Sequence, residues 1–188
     1  MTTLITITNK NATHLIIENG CNQKINIPND ITHLTLRFGF EQKIKLSNNI
    51  THLTFKFGFN RKIKLSNSIT HLIFGFYFNQ KIKLSNNITH LKFRIKFDKK
   101  IKLPYCITHL IIGDKFNYKI KLPQHITYLT FGFHFNQKII IPQNVKYLIF
   151  GFKFNQKITV PQNITYLVLK YYYDKKIIIS NKTIITKF

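Results

Sequence analysis

Apolar and polar residues follow one another in a pattern that returns every 19 residues, without insertion or deletion, for nine units. The register is marked by Thr13, Thr32, Thr51, Thr70, Thr89, Thr108, Thr127, Lys146 and Thr165. We take the residue before each of these as position 1. Position 1 is then mostly Ile, position 4 always Leu, position 6 Phe, Leu or Ile, position 10 Phe in seven units, position 14 always Ile and position 16 Leu, Ile or Val. The pairs 4/6 and 14/16 have the period of two that sends side chains to one face of a strand, so each unit is predicted to hold two short strands with those residues inward. A strict period of this length marks a solenoid, in which each unit buries its apolar face against its neighbours. Helix is disfavoured: Ala occurs once, and β-branched and aromatic residues dominate.

Position 17 holds all five prolines, Pro28, Pro104, Pro123, Pro142 and Pro161, and otherwise Ser, commonly followed by Asn, Gln or Asp. That is turn chemistry. Glycines at positions 7 and 9 mark a second bend. Position 11 is mostly amide: Asn22, Asn60, Asn79, Asn117, Asn136 and Asn155. A buried amide at a fixed corner can bond its own coil and the next, so these are read as a structural asparagine ladder. The expected architecture is an all-β, right-handed solenoid of nine 19-residue coils with two short parallel strands per coil. It divides into an N-terminal cap strand over 1–11, the solenoid over 12–182, and a truncated tenth repeat over 183–188 that stops at its sixth position.

Segments such as I-T-H-L-I-F-G-F-Y-F-N-Q-K-I, from Ile69 to Ile82, and V-K-Y-L-I-F-G-F-K-F-N-Q-K-I, from Val145 to Ile158, closely resemble FNIP repeats. The F-N-Q-K-I core and the following Ile141-Pro142 carry the resemblance, which spans nearly the whole chain. FNIP repeats are a leucine-rich-repeat-like family common in social amoebae and in giant viruses that infect amoebae. The resemblance implies a leucine-rich-repeat-like coil, an interaction scaffold and, for a viral member, a place in the host cytoplasm. Some viral members carry an N-terminal F-box; about eleven residues precede the first repeat here, so none is expected.

Charge changes the picture most. Lys plus Arg number 29 against 6 Asp plus Glu, a net charge of +23. On the second predicted strand, outward position 13 is Lys in every unit, and position 15 adds more: Lys43, Lys45, Lys62, Lys64, Lys81, Lys83, Lys100, Lys102, Lys119 and Lys121 form the middle of this double row. At ~4.8 Å per coil the row approaches the charge density of DNA with the opposite sign. Two readings are open. One is a polyanion-binding face, for nucleic acid, anionic lipid or an acidic protein surface; the other is a solvated lysine fence that prevents sideways association.

The first predicted strand presents His33, His52, His71, His90 and His109 at position 3, continued by Tyr128, Tyr147 and Tyr166. This face is less charged and more aromatic, as interface cores are, and it is the expected site for an unidentified protein partner. Nothing in the sequence fixes the spacing of the rings, and no carboxylate or cysteine completes a metal site, so no metal is assigned; surface stacking and a pH-responsive role stay open. The six acids are scattered and pair with no unique His, Ser or Cys, and no phosphate loop or nucleophile motif occurs, so neither enzymatic activity nor a cofactor is expected. Cys21 and Cys106 are too many coils apart for a disulfide. No apolar run approaches the ~20 residues of a membrane span, and no signal peptide is apparent, which points to an intracellular location. Self-association through sheet faces or through an uncapped last coil is a further expectation.

Overall fold

A computed structural model describes residues 5–7, 13–17, 26–37, 44–179 and 182–187. Its strands are β1 Ile5–Ile7, β2 His14–Ile17, β3 His33–Leu36, β4 His52–Phe55, β5 His71–Ile73, β6 His90–Lys92, β7 His109–Ile112, β8 Tyr128–Phe131, β9 Tyr147–Ile149, β10 Tyr166–Leu169 and β11 Ile184–Lys187. They form one sheet in chain order. From β2 to β10 neighbours are parallel and in register by 19 residues, so His33 lies opposite His52 and Leu34 opposite Leu53. β1 runs antiparallel to β2, with Ile5 opposite Ile17. No helix occurs among the described residues.

From the third coil to the ninth, positions 1, 4, 6 and 10 close the interior. In the fourth coil these are Ile69, Leu72, Phe74 and Phe78, all buried. The two phenylalanines stack face to face, Phe74 on Phe78 at 3.8 Å and Phe131 on Phe135 at 3.8 Å. The turn predicted at position 17 is present: the N–H of Ile50 donates to Ser47 O (3.5 Å) and that of Val145 to Pro142 O (3.2 Å).

Like residues are not equally spaced in different parts of the coil. Centroids of the stacked histidine rings at position 3 lie 4.0 Å apart, as in His52 and His71. At position 6 they lie 5.2 to 5.6 Å apart, and at position 10 6.0 to 6.3 Å. Pure translation would space every ladder alike, so each coil is also rotated, with the sheet on the inside of the bend. Over a lever arm of roughly 10 Å the difference amounts to roughly 12° per coil.

This bend explains the largest departure from the sequence reading. Positions 14 and 16 keep their inward residues, Ile63 and Leu65 or Ile82 and Leu84, packed against the core, but no strand forms there. Neighbouring coils are ~4.8 Å apart where backbones pair; on the outer side the core rings at position 10 lie 6.0 Å or more apart, and among the described residues no backbone hydrogen bond joins positions 14 to 16 of one coil to the next. Among the described residues each coil has one strand, not two. A side chain spans the gap instead. Asn60 Oδ1 accepts the backbone N–H of Asn79 (2.8 Å), Asn79 Oδ1 that of Asp98 (2.9 Å), Asn117 Oδ1 that of Asn136 (2.9 Å) and Asn136 Oδ1 that of Asn155 (2.9 Å). Gln137 and Gln156 amides donate to the same Asn117 and Asn136 oxygens. These asparagines are exposed or half-buried, not buried as expected, because they sit where the coils splay. Asn22 and Cys21 lie outside the described residues.

The last strand also differs. Tyr166 faces Ile184, 18 residues on, because the chain is one residue shorter between Ile179 and Thr183 than between Leu46 and Thr51. Thr183 therefore takes the threonine position, and the tenth repeat begins one residue out of the expected phase. Ile184 and Ile185 are exposed on this edge.

Candidate functional site

The inner face of the sheet is built on threonine. Thr32 O accepts the backbone N–H of Thr51 (2.9 Å) and of His52 (3.0 Å), and the Thr51 hydroxyl lies 3.3 Å from the same oxygen. The same Thr51 Oγ1 is 2.9 Å from Nδ1 of His52. Identical bonds hold His33, His71, His90 and His109 to Thr32, Thr70, Thr89 and Thr108 at 2.9 Å. With the hydroxyl donating to the carbonyl of the previous coil, which also accepts two backbone N–H groups, Nδ1 is left to donate to the hydroxyl, which assigns the Nδ1–H tautomer. This bond fixes the ring torsion that the sequence left undetermined.

The result is a column of imidazoles from His14 to His109, each 4.0 to 4.1 Å from the next and tilted by only 12 to 18°. Burial and the neighbouring imidazoles hold His33, His52 and His71 below the ordinary imidazole value, and the same causes bring His90 down to about 4. Parallel rings point their outer nitrogens in parallel, not at a common point, so the column offers no convergent ligand set; no cluster suited to a metal ion occurs among the described residues. Beyond His109 the column continues as Tyr128, Tyr147 and Tyr166 at 5.8 to 6.4 Å, with tilts growing to 47°. His71, Ile73, His90, Lys92, His109 and Tyr128 line a groove of ≈ 330 Å³ on this face.

The lysines lie on the outer side. Lys45, Lys62, Lys64, Lys81, Lys83, Lys100, Lys102, Lys119 and Lys121 are all exposed; Lys43 is outside the described residues. Because the coils splay here, the row is less dense than a 4.8 Å repeat implies. Lys62, Lys64 and Lys83 line a groove of ≈ 490 Å³ with Asn67 and Ser85 and without an acid.

A third feature escaped the sequence reading: Phe57, Phe133, Phe152 and Tyr171, at position 8, project into solvent. The signal was present in F-G-F-x-F, since positions 6 and 10 already fill the interior and leave the middle phenylalanine without a place in it.

A parallel β-solenoid with one strand per coil and that sheet on the inside of its bend is a repeat scaffold of the leucine-rich-repeat kind. The FNIP repeat model matches residues 59–94, 97–134 and 135–160, and the chain belongs to the FNIP repeat family. Its fold is similar to the crystal structure of CroV588, a circular leucine-rich-repeat protein of the giant virus CroV, with a TM-score of 0.81 and 40% identity over 97% of this chain. The chain spans 32% of that protein's length. The eight steps between the nine strands β2 to β10, at roughly 12° each, turn the sheet through roughly 95°. Among curated proteins no sequence matches. No helix among the described residues is long and apolar enough to cross a membrane.

Proposed function

We propose that the chain is a non-enzymatic scaffold that captures a protein partner on the inner sheet face, through His33, His52, His71, His90, His109, Tyr128, Tyr147 and Tyr166. The observation that supports this most is the coincidence of three properties on that face: it lies inside the bend, where solenoids present extended concave surfaces; its groove is lined almost wholly by rings and aliphatic side chains; and Lys92 is the one lysine or arginine in that lining. Desolvating such a face costs little, and ring-rich surfaces supply most binding hot spots.

The lysine side supports a second reading, polyanion binding, through its acid-free groove at Lys62, Lys64 and Lys83. One experiment separates the two. Tagged chain is used to capture partners from native lysate with and without nuclease, alongside Tyr128→Ser/Tyr147→Ser/Tyr166→Ser and Lys62→Gln/Lys81→Gln/Lys100→Gln/Lys119→Gln. The proposal expects nuclease-resistant capture of a protein that is lost in the tyrosine variant and kept in the lysine variant. Capture that survives the tyrosine changes but fails in the lysine variant, or vanishes with nuclease, assigns the function to the lysine side.

A further inference from the structure

Every coil from the fifth to the ninth makes a β-turn over positions 7 to 10. The N–H of Phe97 donates to Arg94 O (3.4 Å), Phe116 to Gly113 O (3.3 Å), Phe135 to Gly132 O (3.3 Å), Phe154 to Gly151 O (3.1 Å) and Tyr173 to Lys170 O (3.1 Å). Glycine at position 7 lets these turns lie against one another: a Cβ on Gly132 would sit 2.5 Å from Gly113 C and 2.6 Å from Asp114 Cα. The residue after it is the turn tip, a place that chain geometry gives to Gly, Asn, Asp, Pro or Ser. Asp114 fits that rule, its carboxylate accepting the N–H of Phe133 at 3.2 Å. Of the other tips, Ile95 is half-buried, while Phe133 is 42% exposed, Phe152 48% and Tyr171 65%; at the same position of the third coil Phe57 is 45% exposed. Nothing in the fold requires an aromatic ring there.

Cations interleave with the rings. Arg94, Lys96, Lys115 and Lys153 are exposed on the same turns. Lys96 Nζ reaches across one coil to lie 6.0 Å from the Phe76 ring centre, and Lys153 Nζ lies 5.9 Å from that of Phe133. Asp114 is the one acid on these turns among the described residues.

We infer that this ridge of aromatic turn tips seats the protein on an anionic lipid surface, the rings entering the headgroup boundary and the flanking cations meeting acidic headgroups. Amphipathic and aromatic side chains favour that boundary, basic residues near it are drawn to anionic lipid, and lysine stems keep their charge in water while covering apolar surface. Other occupants fit less well. A second copy would bring two cationic ridges together. Single-stranded nucleic acid needs free ring faces for base stacking, whereas Phe57 faces Phe76 (6.2 Å, 23°) and Phe133 faces Phe152 (5.5 Å, 8°), which leaves ring edges outward. A row of turn tips has no pocket of the kind that anchors a protein hot spot, while a lipid boundary conforms to it.

The test is co-sedimentation of the full chain with vesicles of phosphatidylcholine alone or with about a quarter phosphatidylserine, at low and high salt. It includes Phe57→Gln/Phe133→Gln/Phe152→Gln and, as an electrostatic control, Lys62→Gln/Lys81→Gln/Lys100→Gln/Lys119→Gln. Circular dichroism confirms that each variant is folded. The wild type is expected to bind the anionic vesicles and to keep part of that binding at high salt, where charge attraction is screened. The ridge variant loses the salt-resistant part, on the order of tenfold in partitioning, and the lysine-row variant keeps it. No binding by the wild type, equal binding by the ridge variant, or a loss confined to the lysine-row variant overturns the inference. So does a ridge variant that loses an oligonucleotide or a protein partner while its vesicle binding is unchanged. The sheet face is untouched by these substitutions, so this result stands apart from that of the capture experiment.

Discussion

The two halves of the inner face solve the same geometric problem differently. From His14 to His109 the column is an ordered stack at 4.0 to 4.1 Å; from Tyr128 to Tyr166 the rings stand 5.9 to 6.4 Å apart and tilt progressively. The backbone beneath is the same parallel sheet in the same register. The difference lies in the side chains: imidazole offers Nδ1 to the threonine beside it, and phenol has no atom at that place. A ring tied to a repeating hydroxyl inherits the repeat; an untied ring takes whatever orientation packing permits. The histidine half therefore presents a rigid, titratable surface, and the tyrosine half an adaptable one with hydroxyls at its rim.

The strongest way to break this contrast is to cut the ties. Thr51→Val, Thr70→Val and Thr89→Val together keep the β-branched shape and remove three hydroxyls, each at 3.3 Å from a carbonyl and 2.9 Å from an imidazole. At about 1 kcal/mol per lost hydrogen-bonding group the triple variant is expected to lose roughly 3 kcal/mol of stability. Denaturant unfolding reads the loss. Imidazole NMR reads the accompanying disorder, with His52, His71 and His90 losing their common ring-current shift; an unchanged stack places the ordering in packing alone.

Acid gives the next largest effect. Burial and neighbouring imidazoles depress His33, His52, His71 and His90 in the folded state, His90 to about 4. The unfolded chain, at the ordinary 6.5, thus takes up protons first. The contribution of these groups is fully present above 6.5 and falls away as pH drops through the folded values toward 4. The rings face one another and threonine hydroxyls, and the one cation in the adjoining groove, Lys92, offers no compensating charge. With solvent screening of half-exposed groups the loss is on the order of 2 kcal/mol, or roughly 5 °C in Tm, between pH 7 and 4.5. A variant with His52→Tyr, His71→Tyr and His90→Tyr extends the tyrosine half and is expected to show a flatter Tm profile over the same range. Equal profiles for the two proteins would remove the column as the source of acid sensitivity.

What the sequence made legible was whatever depends on one coil alone. Side-chain alternation at positions 4 and 6, the turn at position 17 and the nineteen-residue register are local patterns, and they reappear as Leu72 and Phe74 buried, Ser47 accepting from Ile50, and His52 opposite His71. What it hid depends on rotation between coils. A few degrees per repeat decide that the inner segments pair as strands and the outer ones do not, and no residue encodes that angle by itself. The outward asparagine row was legible as a ladder but not as the bridge across a widened gap, since its exposure follows from the same rotation. The turn-tip aromatics were overlooked for a different reason: a phenylalanine-rich motif invites every ring into the core, and the coil has room for two.

The smallest effect sharpens the comparison most. Lys146 replaces threonine where the tyrosine half begins its second ring, so Thr127 O accepts the backbone N–H groups of Lys146 (2.9 Å) and Tyr147 (3.0 Å) without the third partner seen elsewhere. Lys146→Thr restores a hydroxyl that can reach this carbonyl, as Thr165 reaches Lys146 O at 3.1 Å, but with Tyr147 beside it there is no Nδ1 to bind. The expected gain is about 0.5 to 1 kcal/mol, roughly 1 to 3 °C in Tm. Set against the loss from Thr70→Val alone, it divides the threonine contribution into two parts. A gain equal in size to that loss means that the carbonyl bond accounts for the whole effect and that the imidazoles stack without help from their threonines. A gain clearly smaller than the loss measures the threonine–histidine bond itself, the one interaction that the histidine half has and the tyrosine half lacks.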